Sequence, residues 1–477
     1  MPHYLALDLG AESGRAMLGT LEADHLTLTE THRFPNGAVS LPEGLYWDVL
    51  RLWDEIQRAI ALTTARSPLD SLGLDTWGVD FALLDTNGAL LANPRHYRDP
   101  RTEGVMSEAF QRVPREEIFA QTGIQFLSFN TLYQLLALSR QQPHLLQAAS
   151  TFLTIPDLFN YWLTGRTVCE FTNATTTQCF DPRRRNWAHP LLESFGLPTH
   201  ILPPVCEPGT ILGEYSAPSL AQFIAVIAPA CHDTGSAVVA IPAEGRNFAW
   251  LSSGTWSIMG VESDSPCLEA HALEYNFTNE GGVFGTWRLS RNIMGLWLIQ
   301  ECRREWGISY DEITRLAAEA RPFLAVIDPD AEPFFRPGGM SEKIRQFCAR
   351  SGQAVPQTRG EVARVVLESL ALKYRLVLEQ LEALTRKQLS PVHIIGGGTK
   401  NRLLNQLTAD CTGRPVVAGP VEATAIGNLL MQALTLRHLT SLTEARALVR
   451  HSFPLEMYQP VEHAGWEIAY RKLLNFV

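Results

Sequence analysis

The chain has 477 residues, 45% apolar and 19% charged, and a formal net charge of -10 at pH 7. That composition describes a folded protein long enough for two cores, and its acidic balance argues against nucleic acid or an anionic membrane as the main partner. A phosphorylated ligand is still compatible, because a few local donors and a metal ion suffice to hold one.

The chain opens almost directly into a strand. No basic segment leading into an apolar run precedes it, so no secretion signal is read. No apolar run reaches the roughly 18 residues of a membrane helix. Cys169, Cys179, Cys206, Cys231, Cys267, Cys302, Cys348 and Cys411 form no C-x-x-C pair, which fits reduced thiols better than a disulfide framework or a zinc site. The expectation is a cytoplasmic protein of enzyme size.

In chain order, residues 4–9 and 15–20 read as strands around the turn Gly10-Ala11-Glu12-Ser13-Gly14, with a third strand near 26–34. Residues 48–63 carry Val49, Leu52, Trp53, Ile56 and Ile60 at helical spacing behind an Asp48 cap. Residues 72–85 read as two short strands with polar residues between them, closed by an Asn87-Gly88 hairpin turn. Helices are predicted over 132–139 and 156–163, a Pro-rich loop over 201–210, and a buried strand over 222–228 running into Cys231-His-Asp-Thr-Gly235.

Residues 248–260 repeat the opening plan of strand, Gly/Ser turn and strand, with hydroxyls replacing most of the charge. Helices follow over 292–305 and 361–384, with a loop at 334–339. Val392-His-Ile-Ile-Gly396-Gly-Gly398 reads as a buried strand ending in a glycine turn. A helix over 401–412, a short strand at 416–417, a helix over 422–436 and a helical remainder complete the chain. Strands alternating with helices imply an α/β class, divided into lobes 1–242 and 243–477.

Five constellations carry chemistry. In Asp8-Leu-Gly10-Ala-Glu-Ser13-Gly14-Arg15, Asp8 suits Mg²⁺, an oxygen-seeking ion that keeps several waters. Ser13, Arg15 and the turn N–H groups would face phosphates; the plain alternative is a β-turn served by Asp and Ser. The second copy at 252–257 favours the phosphate reading. In His232-Asp233-Thr234-Gly235, an acid at the start of a small-residue helix is either a general base or a helix cap; both roles are compatible.

In Thr76-Trp77-Gly78-Val79-Asp80, with Gln125 and Asn130-Thr131 further on, Trp77 is either a platform for a sugar ring, with Asp80 on vicinal hydroxyls, or a core residue. Gly396-Gly397-Gly398-Thr399-Lys400 lets a flat ring approach the backbone at a helix start or is a simple turn. It is not G-x-G-x-x-G, and no P-loop occurs. Asn292, Gly295 and Gln300 fall near a helix start, where Asn292 is equally read as a cap and Gln300 as a solvated position.

Taken together, Asp8–Arg15, Gly73-Leu-Asp-Thr-Trp-Gly-Val-Asp-Phe81, Tyr97-Arg-Asp-Pro-Arg-Thr102, Gly123-Ile-Gln-Phe126, Phe171-Thr-Asn-Ala-Thr-Thr-Thr-Gln178, His232-Asp-Thr234, Leu251-Ser-Ser-Gly-Thr-Trp-Ser257, Asn292-Ile-Met-Gly-Leu-Trp297 and Ala418-Gly-Pro-Val-Glu-Ala423 resemble the FGGY carbohydrate kinases, most nearly the rhamnulokinase branch. The resemblance implies a two-lobed actin-like ATPase fold, each lobe with a ribonuclease-H-like core, closing over a ligand cleft. It implies transfer of the ATP γ-phosphoryl group to the 1-hydroxyl of L-rhamnulose, with Mg²⁺. By the same resemblance Asp233 is the proton acceptor; Gly78, His232, Asp233, Thr234 and Asn292 meet the sugar. Ala11, Glu12, Ser13, Gly14, Arg15, Thr255, Gln300 and Gly397 meet ATP, and Asp8 meets the metal. Glu12 departs from the small or hydroxyl residue frequent at its position, and either repels phosphate or assists the metal. Competing expectations are a kinase for L-fuculose or xylulose, a non-catalytic sugar sensor, and an actin-like chaperone or filament ATPase.

Overall fold

The computed structural model describes residues 1–477 except 219 and 221. The chain forms two compact units, neither a single stretch of sequence: Met1–Ala240 with Glu262–Leu289 and Ala423–Ser452, and Ile241–Val261 with Ser290–Glu422 and Phe453–Val477.

The first unit is built on a six-stranded sheet in the order Thr210–Tyr215, Ile224–Ala228, Ser71–Thr76, His3–Leu9, Ser13–Glu22, His25–Pro35. The middle strands Ile224–Ala228, Ser71–Thr76 and His3–Leu9 run parallel. Their near-continuous apolar runs suit a sheet covered on both faces, and their side chains are almost all buried. Helices Val49–Thr64, Ile155–Thr164 and Ala423–Thr435 pack on this sheet. The first begins where expected, with the Asp48 carboxylate accepting from the Arg51 N–H at 3.1 Å.

The third of these helices arrives from far along the chain and is tied in by buried polar bonds. Asn428 Nδ2 donates to Asp75 Oδ2 at 2.6 Å, Gln432 Nε2 to the Leu5 carbonyl at 3.0 Å, and Ser71 Oγ to Gln432 Oε1 at 2.7 Å. Satisfied polar pairs of this kind fix one seating of helix on sheet, because any slide would strand buried donors.

Both strands expected over 72–85 form, as Ser71–Thr76 and Phe81–Leu84, but they do not pair with each other as a hairpin. Ser71–Thr76 is an interior strand with both edges occupied by parallel neighbours, so Phe81–Leu84 pairs antiparallel with Thr151–Thr154 instead. The Asn87-Gly88 turn exists, with Gly88 at φ +78°, but it leads only to an isolated Leu84–Leu90 bridge.

In the second unit Ala249–Ser253 and Trp256–Ser263 make an antiparallel hairpin, with Ser253 opposite Ser257. Val392–Ile395 runs parallel to the first of these strands and Val416–Ala418 parallel to Val392–Ile395; Glu456–Tyr458 closes the edge antiparallel. The long helix Arg359–Thr385 starts in a capping box between Thr358 and Glu361.

The single helix expected over 292–305 is instead the strand Trp287–Met294 followed by the helix Trp297–Trp306. Ile293, Met294, Trp297 and Leu298 mimic one helical stripe across the junction, while Gly295 marks the corner. A Cβ on Gly295 would lie 2.6 Å from the Ser257 backbone nitrogen, so only glycine lets the chain turn there. All eight cysteines are unpaired. Among the described residues no helix is long and apolar enough to cross a membrane.

Candidate active site

In the first unit, three aspartates stand at or beyond the C-terminal ends of neighbouring parallel strands, the usual ligand-binding edge of such sheets. Asp8 and Asp75 are register partners on adjacent strands. Asp233 follows the third strand, where Thr76 bridges His232 and its N–H donates to the Cys231 carbonyl at 2.9 Å. The Gly10–Gly14 turn folds back so that Arg15 pairs with Asp8, Nη2 to Oδ2 2.5 Å. The Gly10 N–H donates to the Ser13 carbonyl at 3.0 Å. Gly14 lies against Phe34, whose ring would sit 2.2 Å from any Cβ there. Glu12 is exposed at the tip.

Asp75 was not singled out from the sequence, although an acid inside an apolar strand was visible in it. It is fully buried, and its carboxyl is held well above the usual carboxylate range, first by burial and next by the charge of Asp8, with Asp233 adding to both. Its Oδ1 has no hydrogen-bond partner. The buried carboxylates of Asp8 and Asp75, the latter with one oxygen unpartnered, are the hard oxygen donors that Mg²⁺ prefers, so the residues present fit such an ion. Among the described residues no group of three His, Cys, Asp or Glu is placed to hold a metal ion, so the protein's own share of such a site is at most one or two carboxylates.

Asp233 begins the short helix Asp233–Val239. Its Oδ1 accepts from the Thr234 N–H at 2.5 Å and the Thr234 hydroxyl at 3.0 Å, and its side chain is 32% exposed. The helix cap is His232, with no side-chain cap bond, so Asp233 does not serve as the N-cap that the sequence allowed. His232 Nε2 stands 3.4 Å from Asp233 Oδ1. The loop is held from behind by Glu170, whose Oε2 accepts from the Cys231 N–H at 3.0 Å, and by Thr172, whose hydroxyl accepts from the His232 N–H at 3.1 Å.

Gly78 lies against Thr176, whose Oγ1 would be 2.9 Å from a Cβ at that position. The next residue, Val79, is held at φ +67° by Thr131, which donates its hydroxyl to the Val79 carbonyl at 2.6 Å. Asn130, also in that segment, donates to Gln125 O and Gln178 Oε1.

The sugar-binding reading of Trp77 and Asp80 is overturned. Asp80 is 1% exposed, and its oxygens are taken by Trp47 Nε1 at 2.6 Å, Gln134 Nε2 at 2.9 Å, Trp77 Nε1 at 3.0 Å and the Tyr97 N–H at 3.2 Å. Buried among these donors, Asp80 is out of reach of a sugar's vicinal hydroxyls. Trp77 is buried with its ring 3.9 Å from that of Trp47. The pair is the floor of the fold here, fastened by a buried acid.

Burial pushes the Asp80 carboxyl up to about 6 against the pull of those donors. Folding therefore retains a proton that the unfolded chain, with an ordinary Asp near ~3.9, has released. Stability attributable to Asp80 is full below about pH 4 and falls as pH rises through 6. Urea unfolding at pH 4, 5, 6 and 7 is expected to show a downward slope shared with the buried carboxyls of Asp75, Asp157 and Glu170, which burial raises in the same direction, and Asp80→Asn to make that slope shallower between pH 4 and 6.

In the second unit, the hairpin tip carrying Thr255 is bound to the start of the following helix. The Leu296 N–H donates to Gly254 O at 3.0 Å and the Trp297 N–H to Thr255 O at 3.1 Å. Ser257 Oγ is 2.7 Å from the Tyr374 hydroxyl. Asn292 sits on the strand Trp287–Met294, not at a helix start, so its cap reading falls. The segment is anchored by Asp330 Oδ1, which accepts from the Met294 N–H at 2.7 Å; Lys373 in turn lies 3.0 Å from Asp330 Oδ2. Gln300 lies one turn into the helix with its amide oxygen buried and unpartnered.

Gly397 opens a 3-10 turn, with open space where a Cβ would stand. Its neighbour Gly398 packs against Ser253, whose Oγ would be 2.0 Å from a Cβ. The middle glycine is thus the accessible one, and the outer ones serve the turn. Asp8, Ala11–Arg15, Gly78 and His232–Thr234 belong to the first unit, and Thr255, Asn292, Gln300 and Gly397 to the second.

Residues 3–240 match the N-terminal domain, and residues 249–436 the C-terminal domain, of the FGGY family of carbohydrate kinases. A rhamnulokinase of Bacteroides thetaiotaomicron is 45% identical over 100% of this chain and 99% of its own length. One of Oceanobacillus iheyensis is 43% identical over 97% and 99%. Among solved structures, a ligand-bound xylulose kinase from Lactobacillus acidophilus matches with a TM-score of 0.81 at 16% identity, covering 100% of this chain and 96% of its own. A Plasmodium falciparum glycerol kinase with ADP matches at 0.81 and 15% identity, with the same coverage. These structures establish the fold as the two-domain, actin-like α/β architecture of sugar kinases.

Proposed function

This chain belongs to the FGGY family of carbohydrate kinases, an ATP-dependent family acting on sugars, and on that premise we propose that it phosphorylates L-rhamnulose at the 1-hydroxyl, giving L-rhamnulose 1-phosphate and ADP. The observation that carries the choice of sugar is identity of 41–45% with rhamnulokinases along their whole length. The matched length takes in the segments expected to meet the sugar as well as those expected to meet ATP.

In this reading Asp233 accepts the proton of the 1-hydroxyl as its oxygen forms the new bond to the γ-phosphorus, and the bond to the β-phosphate oxygen breaks to release ADP. The partial exposure of its side chain leaves the carboxylate reachable. His232, Thr234, Gly78 and Asn292 position the sugar, which makes the attack effectively unimolecular. The turn Ala11–Arg15, with Thr255, Gln300 and Gly397, takes the nucleotide. Asp8, with Asp75 behind it, would hold Mg²⁺, which supplies charge neutralisation at the phosphates. The lobes are assigned as 1–242 for the sugar, the first phosphate loop and the base, and 243–477 for ATP binding and the C-terminal helices.

A panel of L-rhamnulose, L-fuculose and xylulose assayed for ADP release with ATP and Mg²⁺ tests the reading. L-Rhamnulose is expected to give the highest kcat/KM. A higher value for either other ketose would move the assignment to that sugar, and sugar binding without ADP release would favour a sensor.

A further inference from the structure

Behind His232 lies a charged cluster that the reaction scheme above does not use. Arg288 is 1% exposed at its side chain. Its Nε donates to the Gly281 carbonyl at 2.8 Å, and its Nη2 stands 3.0 Å from both Glu280 Oε2 and His232 Nδ1. Burial works to raise the Glu280 carboxyl, but the charge of Arg288 and the contact with His232 outweigh it and leave it below its ordinary value. The cluster is therefore an ion pair pressed against one edge of the imidazole.

A guanidinium has only donors. At 3.0 Å from Arg288 Nη2, Nδ1 is placed to accept, whereas a proton on Nδ1 would have to turn from the guanidinium to the more distant Glu280 Oε2. Glu280 Oε2, 3.3 Å from Nδ1, is farther from the ring than Arg288 and balances the guanidinium charge. The nitrogen that accepts determines which nitrogen carries the proton. The other ring nitrogen, Nε2, is the one facing Asp233 Oδ1 at 3.4 Å.

We propose that Arg288, held by Glu280, is a positioning residue that fixes His232 with its proton on Nε2, directed at Asp233 and the place of the acceptor hydroxyl. A donor from Nε2 holds the Asp233 carboxylate as an acceptor in one orientation. Its catalytic consequence rests on the assignment of Asp233 as proton acceptor, whereas the tautomer does not.

The test uses the full chain labelled with ¹⁵N-histidine, the His232 signals being assigned by their loss in His232→Asn. The wild type is expected to show Nδ1 as an unprotonated acceptor and Nε2 protonated. Arg288→Met is expected to lose that signature and to lower kcat roughly tenfold or more, the scale on which second-layer partners of a reacting group act. KM for ATP should stay within about twofold, and Arg288→Lys, which keeps a donor, should recover part of the rate. A proton on Nδ1 in the wild type, in either charge state, overturns the tautomer even if Arg288→Met does not fold. A folded Arg288→Met with unchanged kcat overturns the positioning role. Kinetics use whichever sugar the panel selects, so a wrong sugar assignment leaves both readouts intact.

Discussion

Asp233→Asn is expected to lower sugar phosphorylation by about 10²–10⁴-fold, the usual contribution of a positioned general base, with sugar affinity nearly unchanged. Asparagine keeps the volume and one carbonyl oxygen for the Thr234 N–H and hydroxyl, which Asp233 Oδ1 accepts at 2.5 and 3.0 Å. It cannot take up the proton of an attacking hydroxyl. Coupled ADP release measures the rate, and calorimetric sugar titration measures binding. If the residue were only a cap, the variant would lose about 1 kcal/mol of stability and little turnover. The cap geometry, with His232 at the N-cap and no side-chain bond, argues for the opposite pattern. Near-normal turnover would remove Asp233 from the base role.

Gly427→Ala is the second large effect. Gly427 lies in the helix Ala423–Thr435, and a Cβ there would fall 1.7 Å from the Ser236 carbonyl oxygen and 2.6 Å from its carbon. Ser236 belongs to the short helix that begins with Asp233. The obstacle is backbone, so no rotamer can relieve it, and Ser236 is itself tied to Ala230 O through Oγ at 2.8 Å. The expected cost is at or above the usual 1–3 kcal/mol of overpacking, with the base displaced and kcat lowered. In an open helix the same substitution would stabilise by roughly 0.5–1 kcal/mol, so the sign of the change is diagnostic. Denaturant midpoints and kcat on the same preparation check it. A stabilised or unaltered variant would mean that the two helices do not approach so closely.

Much of the local structure was legible in the sequence. The opening strand, the helix behind Asp48, the long helix now bounded at Arg359–Thr385 and the strand running into the glycine turn at 396 all have signals contained within a few turns of chain. One difference of element type and one of strand pairing have local causes. At 292–305 apolar residues of a strand and a helix aligned into one false stripe, and at 72–85 a genuine turn signal was credited to the wrong pair of strands. Neither mistake was visible until partners were known.

Site residues divide in the same way. Asp8, Asp233 and the two Gly/Ser turns stand out because polar groups interrupt apolar strands at turns, and full-length likeness to carbohydrate kinases identifies the family to which they belong. Those properties the sequence by itself determined: the α/β class, the repeated strand–turn–strand plan and the acid after His232. Only the tertiary structure decided that Asp80 is consumed by two indoles, an amide and a backbone N–H. Likewise only the fold brings Glu280 and Arg288 to His232, and seats Asn428 of a distant helix on Asp75. The reason is physical: turn chemistry and periodicity act within a dozen residues, whereas burial, ion pairing and close helix approach depend on segments that become neighbours only when the core closes.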